Sequence, residues 1–460
     1  MAKWFGSSGI RGNFELVSPK FAFDLGCAVG HFDFLSSNNT FIASDIRLTS
    51  DILKSSFISG YNSMGKNIID IGKVPTPVIS FISKMYETMG VMITASHNPP
   101  QNNGFKFFMN GGEGDLLFEE KIESYLQSIL EIGKYNLNKT WDSVGVNNSQ
   151  SSDKYLSNYL DYLLKSVKIK QKPQKICVDC ANNVPSLVTP KIFQLIGIEN
   201  VITLNEKLDG LFPGRPSEPT DDNLSTLKET VVNEGADMGI GQDGDGDRFA
   251  IIDENGEFIS STSMISFFVD HLDFSNPNRR KVILTVDCTS DAVDTARRHG
   301  GEVISSRIGR NRDYVHDKSV LFLGEPNKLI FPTFGKWIDG IYPTLKLISE
   351  VGKKSLSLLI TPYNKRKVLR KAFNIDPDDK KELWEHINRL PEFWSSKTNQ
   401  ISTIDGLKLF LKNESSILLR FSGTEPKLKV YIESNSDNKN REILKKISAE
   451  LQLEVEGIDC

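Results

Sequence analysis

The 460-residue sequence is poor in cysteine, lacks long apolar runs and carries little excess charge. Its five cysteines are scattered, and even Cys177 and Cys180, three residues apart in a strand-like run, are better interpreted as buried small residues than as a redox or zinc pair. No apolar run approaches the roughly 18 residues that cross a bilayer, and the first residues show no signal-peptide pattern. A formal charge of −4 lacks the basic excess of nucleic-acid binders. We therefore expect a soluble cytoplasmic protein without membrane or nucleic-acid partners.

The length predicts several domains, because roughly 150 residues make one typical hydrophobic core. Three segments repeat an apolar strand that ends near an aspartate, then a polar loop and a helical run; the aspartates are Asp45, Asp179 and Asp287. The repeat favours three similar α/β domains, although any parallel sheet produces such units. The residues beyond 368 show no further copy. Polar segments place the domain bounds at 1–150, 151–253, 254–368 and 369–460.

The segment from Asp243 to Arg248 is the most informative part of the sequence. Asp243, Asp245 and Asp247 alternate with glycines, so a tight loop can direct several carboxylate oxygens to one point, which suits Mg²⁺ or Ca²⁺. An EF-hand is the obvious alternative, but Arg248 stands where that loop needs glycine and the flanking runs are strand-like. Without a cation, three adjacent carboxylates would repel each other. The sequence therefore predicts a divalent-cation site rather than a solvated acidic turn.

Ser96 and His97 directly follow an apolar run, and Lys106 lies a few residues downstream. A serine at the end of a strand, beside a histidine and near a lysine, can be a nucleophile or the carrier of a transferred group. Ser, His and Asn before a proline are also ordinary turn residues. This loop alone leaves both interpretations open.

Two further loops contain groups that suit a sugar phosphate. The guanidinium of Arg420, two hydroxyls and an accessible backbone N–H are typical of a phosphate-binding site, and the residues after Arg420 that supply them are Ser422, Gly423 and Thr424. A capped helix start is the alternative for this segment. Glu325 ends an apolar strand, and its carboxylate could accept hydrogen bonds from sugar hydroxyls.

Taken in order, these loops and the opening segment Phe5 to Gly12 resemble the α-D-phosphohexomutase superfamily, which includes phosphomannomutases, phosphoglucomutases and phosphoglucosamine mutases. The resemblance covers nearly the whole chain, and the sequence in and around the motifs is most similar to that of archaeal members. It implies three similar α/β domains with mixed sheets and a smaller C-terminal α+β domain around a central cleft. The implied reaction moves a phosphoryl group reversibly between the 6- and 1-positions of a hexose or hexosamine phosphate, through a phosphoserine and a sugar bisphosphate.

The resemblance also implies roles for individual residues. The phosphoserine would be Ser96, and the ligands of Mg²⁺ would be Ser96, Asp243, Asp245 and Asp247. The catalytic residues beside Ser96 would be Arg11, His97, Lys106 and Arg248. The substrate-binding residues would be Glu325, Asn327, Arg420, Ser422, Gly423 and Thr424. A hexose bisphosphate would act as activator, the other partners would be small sugar phosphates, and the protein would be a monomer or a homodimer.

Two departures from the family pattern affect the expected sugar preference. Asn327, Lys328 and Leu329 stand where many relatives have Ser-Gly-His or a glycine pair, and the loop at 309–311 lacks a histidine found in some bacterial members. Because Leu329 offers no hydrogen bond, we expect broad specificity between mannose and glucose phosphates. Two other functions stay open. A phosphatase would not need a second phosphate-binding loop, and a non-catalytic sugar-phosphate binder would not need Ser96 and the aspartates.

Overall fold

The structure is a computed structural model of the chain and describes residues 4–6, 8–32, 34–35, 39–132, 135, 140–422 and 426–453. Its contacts divide the chain into two compact units. The first comprises residues 1–260 and 327–359, and the second comprises residues 261–326 and 360–460. Among the described residues, none of the helices combines the length and the apolar character needed to span a membrane.

The first sheet lies at the start of the first unit and mixes parallel and antiparallel strands. Its strands are β1 (Phe5–Gly6), β2 (Gly9–Asn13), β3 (Asn39–Ser44), β4 (Asn67–Lys73), β5 (Met89–Ile93), β6 (Asn102–Met109), β7 (Gly112–Glu113) and β8 (Asn147–Ser149). Strand β3 lies between β4 and β5 and is parallel to both, whereas β6 is antiparallel to β5 and to β2. The helices of this region are α1 (Pro19–His31), α2 (Ser50–Ser63), α3 (Thr76–Met85) and α4 (Leu116–Ile132). The central strands are buried almost throughout, as expected for a sheet covered on both faces.

The second sheet follows in the same unit and repeats this arrangement. Its strands are β9 (Lys175–Asp179), β10 (Asn200–Leu204), β11 (Met238–Gln242), β12 (Phe249–Asp253) and β13 (Phe258–Ile259). Strand β9 lies between β10 and β11 in parallel, and β12 is antiparallel to β11. The helices are α5 (Asp153–Ser166), α6 (Thr189–Leu195) and α7 (Ser225–Glu234). This sheet extends through Ile259, because β13 pairs with β12 beyond the polar turn that suggested a bound at 253.

The second unit begins with a third sheet, three strands of which are parallel. Its elements are α8 (Ser261–Asp270), β14 (Lys281–Thr285), α9 (Ser290–Arg298), β15 (Glu302–Ser306) and β16 (Val320–Glu325). Strand β14 lies between β15 and β16 and is parallel to both. In all three sheets, therefore, the strand that ends near the aspartate lies between the next two strands of the chain. This shared topology confirms the three similar α/β domains predicted from the strand, aspartate and loop pattern.

The remaining elements complete both units. The chain returns to the first unit with β17 (Lys328–Ile330), α10 (Tyr342–Val351) and most of α11 (Leu356–Ile360). The last region of the second unit contains the antiparallel strands β18 (Lys367–Asn374), β19 (Thr398–Ser402), β20 (Leu407–Leu411), β21 (Ser416–Phe421) and β22 (Lys427–Ser434) with the helices α12 (Lys380–Phe393) and α13 (Asp437–Glu450). Short 3-10 turns occur at Val184–Leu187, Asp222–Leu224, Asn311–Tyr314 and Thr361–Tyr363.

The C-terminal sheet has the strand order β18-β22-β21-β20-β19, and every pair in it is antiparallel. Helices α12 and α13 contribute Ile387, Leu390, Leu444 and Ile447 to its apolar core. The apolar side chains of α13 recur at helical spacing on one face, which explains this packing. An antiparallel sheet with two helices is the smaller α+β domain that was expected, so the predicted fold class is confirmed. The domain bounds given above stay a prediction.

Candidate active site

Ser96 lies just beyond the C-terminal end of β5, in a loop with a strained backbone. Its φ of 53° is in the left-handed region, which is uncommon for residues other than glycine and clusters at functional sites. The residue is fully buried. Its N–H donates to Thr94 Oγ1 at 2.8 Å, and its Oγ donates to Asp243 Oδ2 at 2.7 Å. The hydroxyl of the first domain thus contacts the aspartate loop of the second.

A buried guanidinium holds the Ser96 loop in place. Arg47 donates at 2.6–2.9 Å to four backbone carbonyls of the loop, which belong to Ser96, Asn98, Pro99 and Asn102. Its Nε pairs with Asp45 Oδ2 at 3.0 Å, and neither side chain is exposed to solvent. Sequence patterns did not single out Arg47. The feature of the sequence that could have identified Arg47 is its position two residues after Asp45, the aspartate that follows β3.

The three aspartates predicted to bind a cation lie in the hairpin between β11 and β12. One oxygen of each of Asp243, Asp245 and Asp247 lies within 4.8 Å of the others, and all three side chains are buried. Strands on both sides exclude the EF-hand, which requires flanking helices. Gly246 has a φ of 74°, so glycine is suited to this turn.

Lys106 compensates part of the negative charge of this hairpin. Its Nζ donates to Asp245 Oδ2 and to Asp247 Oδ2, both at 2.6 Å. Burial opposes the charge on Lys106, yet these carboxylates hold its pKa above the ordinary value. Burial also favours a neutral Asp245, but Lys106 and the Thr76 hydroxyl hold the pKa of Asp245 below the ordinary value. Burial and repulsion from Asp247 and Asp245 raise the pKa of Asp243 well above its usual range. The single ammonium of Lys106 therefore does not neutralise all three carboxylates of the hairpin.

The donor set fits a hard divalent cation. The Oδ1 atoms of Asp245 and Asp247 are buried and accept no hydrogen bond from the described residues. A buried carboxylate oxygen without a donor is unfavourable, and coordination to Mg²⁺ would satisfy it. A dication would also favour the ionised form of Asp243, whose pKa is raised by its like-charged neighbours. Carboxylate oxygens are the ligands that Mg²⁺ prefers, so these residues could hold it.

Two arginines add positive charge near the aspartates. Arg11 on β2 is paired with Gly104 of β6, the strand that carries Lys106. Burial and the charge of Arg248 lower the pKa of Arg11. The backbone N–H of Arg248 donates to Asp243 Oδ1 at 3.0 Å, and its guanidinium donates to Glu218 Oε1 at 3.3 Å. The structure therefore brings both predicted arginines to the surroundings of the aspartate hairpin.

His97 lies beside the serine hydroxyl. Its Nδ1 is 3.4 Å from Ser96 Oγ. Burial and the nearby charges of Arg248 and Arg11 lower the pKa of His97, so the imidazole is neutral near pH 7. A neutral imidazole can accept a proton from one side and donate one from the other.

Three contacts at this site were not anticipated from the sequence. The Thr76 hydroxyl donates to Asp245, the Ser217 hydroxyl donates to the carbonyl of Ser96 at 3.1 Å, and Glu218 accepts from Arg248. Ser217 and Glu218 follow a segment rich in glycine and proline at 210–216, which indicates a loop. That composition was the available sign, but it carried no indication of which residues the loop contacts.

The second unit contains Glu325 and Arg420, which were predicted to bind the sugar and a phosphate. Glu325, at the end of β16, is buried and accepts a hydrogen bond from the Gly309 N–H at 2.7 Å. Arg420, on β21, has its Nε 3.1 Å from Asp405 Oδ2. The same oxygen of Asp405 accepts from the Ile308 N–H at 3.0 Å. A continuous set of contacts therefore links Arg420 to the loop that Glu325 holds.

The other predicted substrate-binding residues are placed as follows. Asn327 belongs to the first unit and has a φ of 66°, in the turn before β17. Ser422 is buried, and its N–H donates to the Lys427 carbonyl at 2.8 Å. Gly423 and Thr424 lie outside the described residues.

Comparison with known proteins establishes the family. Residues 2–132, 153–256 and 374–450 match the phosphoglucomutase/phosphomannomutase family as alpha/beta/alpha domain I, alpha/beta/alpha domain II and C-terminal domain. A protein named phosphopentomutase from Thermococcus kodakarensis is 34% identical over 448 residues, which cover 95% of each chain. The chain belongs to the α-D-phosphohexomutase superfamily. A probable phosphoglucosamine mutase from Methanothermobacter thermautotrophicus is also 34% identical, over 447 residues and 95% of each chain.

Solved structures of this superfamily share the fold. The X-ray structure of a phosphoglucomutase/phosphomannomutase family protein from Burkholderia thailandensis has a TM-score of 0.83 and 22% identity, and the match covers 97% of this chain and 96% of that one. The phosphohexomutases are isomerases that depend on Mg²⁺, and this chain is a member with the three aspartates that could bind it. The similarity to archaeal members noted in the sequence agrees with these relatives.

Proposed function

We propose that the protein is a reversible phosphohexomutase in which Ser96 carries the phosphoryl group. The group would move between the 6- and 1-positions of a hexose or hexosamine phosphate. The observation that carries the proposal is the Ser96 hydroxyl, held 2.7 Å from Asp243 in a buried hairpin of three aspartates. The left-handed backbone of Ser96 supports it, because a strained serine in a buried loop is typical of a functional site.

The charges around Ser96 suit phosphoryl transfer. A phosphoserine adds a charge of about −1.5 to −2 to three carboxylates, of which Lys106 neutralises only part. Mg²⁺ bound by the aspartates and the phosphate would stabilise the charge that develops on the transferred group. Arg11 and Arg248 add the positive charge that an anionic sugar phosphate needs in order to approach.

In the proposed first half-reaction, a sugar hydroxyl forms a bond to phosphorus while the bond to Ser96 Oγ breaks. The hydroxyl proton passes to Ser96 Oγ, and the neutral ring of His97, 3.4 Å away, is placed to relay it. The product is a hexose bisphosphate. After this intermediate reorients, its other phosphoryl group is transferred to Ser96 Oγ, and the sugar oxygen that loses it takes up the proton. Added hexose bisphosphate would act as the activator, because it can phosphorylate an unphosphorylated Ser96 by this second transfer.

Loop and strand-end segments identified in the sequence would supply the substrate contacts, those around Glu325, Asn327, Arg420 and Ser422. We assign the sugar hydroxyls to Glu325, together with Asn327 of the first unit. We assign the phosphate that is not reacting to Arg420, Ser422, Gly423 and Thr424. A charge-assisted contact from a guanidinium to a phosphate is short and directional, which suits a group that only positions the substrate.

The test is a turnover panel followed by ³¹P NMR. The substrates are the 6-phosphates of mannose, glucose, glucosamine and N-acetylglucosamine, with ribose 5-phosphate added because one relative is named phosphopentomutase. Each is supplied with Mg²⁺ and a trace of the matching bisphosphate. We expect the 1-phosphate isomer without free phosphate, and mannose and glucose phosphates within about tenfold of each other in kcat/KM. A folded Ser96→Ala variant should be inactive.

Each competing function has its own outcome in this panel. Free phosphate without an isomer product would indicate a phosphatase. Saturable binding of sugar phosphates with no turnover of any of them would indicate a non-catalytic binder. A preference above a hundredfold for one epimer would contradict the broad specificity alone and leave the mutase proposal standing.

A further inference from the structure

One carboxylate in the second unit forms an ion pair with Arg420, the proposed phosphate-binding arginine. Asp405 lies in the turn between β19 and β20, and its Oδ2 is 3.1 Å from Arg420 Nε. The two side chains are only 17% and 14% exposed. Water therefore screens this ion pair less than it would screen a pair at the surface.

The same carboxylate also holds a second segment. Its Oδ2 accepts a hydrogen bond from the Ile308 N–H at 3.0 Å, and the neighbouring Ile404 carbonyl accepts from Arg307 Nε at 3.0 Å. The next residue of that segment, Gly309, donates its N–H to Glu325. Asp405 therefore lies between the proposed phosphate-binding arginine and the loop that positions the proposed sugar-binding glutamate.

We propose that Asp405 is a positioning residue that occupies Arg420 when no phosphate is bound and weakens the binding of phosphate there. The proposal rests on the proposed role of Arg420. A carboxylate and a phosphate compete for the same guanidinium, and their like charges repel each other when both are close to it. A mutase must release one phosphate of the bisphosphate from this site and bind the other. A competing carboxylate lowers the affinity of the site for either phosphate and so permits the exchange.

The test replaces Asp405 by asparagine, which removes the negative charge but keeps an oxygen that can accept from the Ile308 N–H. The dissociation constant of inorganic phosphate is measured by calorimetry on the full-length protein, for the wild type, Asp405→Asn, Arg420→Ala and the double variant. We expect Asp405→Asn to bind phosphate about fivefold more tightly, which is the upper range for a partly exposed ion pair. In the Arg420→Ala background the same substitution should have a clearly smaller effect, because only the repulsion between Asp405 and the phosphate remains.

A kinetic comparison separates this role from a purely structural one. The phosphate that is not reacting is bound in both the ground state and the transition state, so tighter binding of it lowers KM without raising kcat. We therefore expect Asp405→Asn to lower KM for the sugar phosphate by a factor similar to the calorimetric one. A loss of kcat with unchanged KM would show that Asp405 only supports the fold of the loop, and would overturn the proposal.

The matched control is Asp317→Asn. Asp317 pairs at 3.0 Å with Lys281, the first residue of β14, which is at the opposite end of that strand from the loop that follows Thr285. The Asp317→Asn substitution removes the same charge from the same unit and should leave phosphate affinity unchanged. Unchanged or weaker phosphate binding in Asp405→Asn, or equal tightening in Asp317→Asn or in the Arg420→Ala background, would overturn the proposal. The turnover panel uses the unaltered protein, so the mutase proposal can stand when this one fails.

Discussion

At the scale of the residue, the site joins side chains whose burial would be unfavourable if each stood alone. Lys106 and the aspartates of the β11–β12 hairpin are buried together, and the ion pairs at 2.6 Å offset the loss of their hydration. Removal of one partner of a buried pair is costly, because the other charge remains without compensation. The stability of this cluster should therefore depend on the cations available to it.

The substitution Lys106→Met tests this dependence. Without Mg²⁺ we expect a loss of about 3 to 5 kcal/mol in stability, because two buried carboxylates lose their ammonium. Mg²⁺ should raise the Tm of the variant by more than that of the wild type, because the dication replaces the missing charge. Calorimetric scans with Mg²⁺ and with EDTA measure both effects. Lys228→Met, which removes an exposed pair with Asp221, should cost less than about 1 kcal/mol in either buffer. An equal loss with and without Mg²⁺ would contradict the metal assignment.

Arg420 gives the second prediction at this scale. A charge-assisted bond from its guanidinium to phosphate is worth about 1.5 to 3 kcal/mol. Arg420→Ala should therefore lower kcat/KM by about tenfold or more. Steady-state rates on the preferred sugar phosphate provide the measurement, with Arg298→Ala, an arginine 67% exposed, as the control. An unchanged kcat/KM would show that the phosphate is bound elsewhere.

The sequence could identify residues whose partners are close in the chain. Asp243, Asp245 and Asp247 were predictable as a cation site because they share one short loop. Arg47 and Ser217 were not, because their contacts with the Ser96 loop join segments that are far apart in the sequence. Such contacts depend on how the strands are ordered in the sheets, which the local pattern does not determine.

At the scale of the element, the most demanding packing joins helices α1 and α2. A Cβ placed on Gly60 would lie 2.1 Å from the carbonyl oxygen of Phe23, and one on Gly26 would lie 2.3 Å from that of Phe57. Both obstacles are backbone atoms, so neither can move without displacing a helix. The helices can lie this close together only because glycine is present at both positions.

Gly60→Ala should therefore destabilise the first unit although alanine favours helix formation. Overpacking of a tight interface costs about 1 to 3 kcal/mol, which exceeds the gain in helix propensity of about 1 kcal/mol. The Tm of the purified variant measures the difference. Ser59→Ala alters the adjacent exposed residue, whose hydroxyl donates to the Ser55 carbonyl of the same helix, and should leave Tm nearly unchanged. A Gly60→Ala variant as stable as Ser59→Ala would contradict this account of the helix packing.

The elements themselves were predictable where the apolar pattern was strong. The strands before Asp45, Asp179 and Asp287 were recognised from their apolar runs, and the structure places each between two parallel neighbours. The pairing of the two-residue strand β13 with β12 was not predicted, because a strand that short has no periodicity of its own. Its pairing with β12 extends the second sheet to Ile259.

At the scale of the whole molecule, the fold supplies two sets of groups from two compact units. The first unit holds the serine and the aspartate hairpin, and the second holds Arg420 and Glu325. Two proposed phosphate-binding sets would suit a reaction whose proposed intermediate carries two phosphates. We propose that Ser96 carries the phosphoryl group during this reaction.

The most direct test of this claim follows labelled phosphate through one cycle. The protein is treated with Mg²⁺ and glucose 1,6-bisphosphate carrying ³²P on both phosphates, separated from the bisphosphate, and mapped by mass spectrometry. It is then mixed with unlabelled hexose phosphate and Mg²⁺. We expect one label per chain on Ser96, complete transfer of that label to the sugar on mixing, and no label on Ser96→Ala. Absence of label on Ser96 in a protein that turns over at its full rate, or release of the label as free phosphate, would contradict the account.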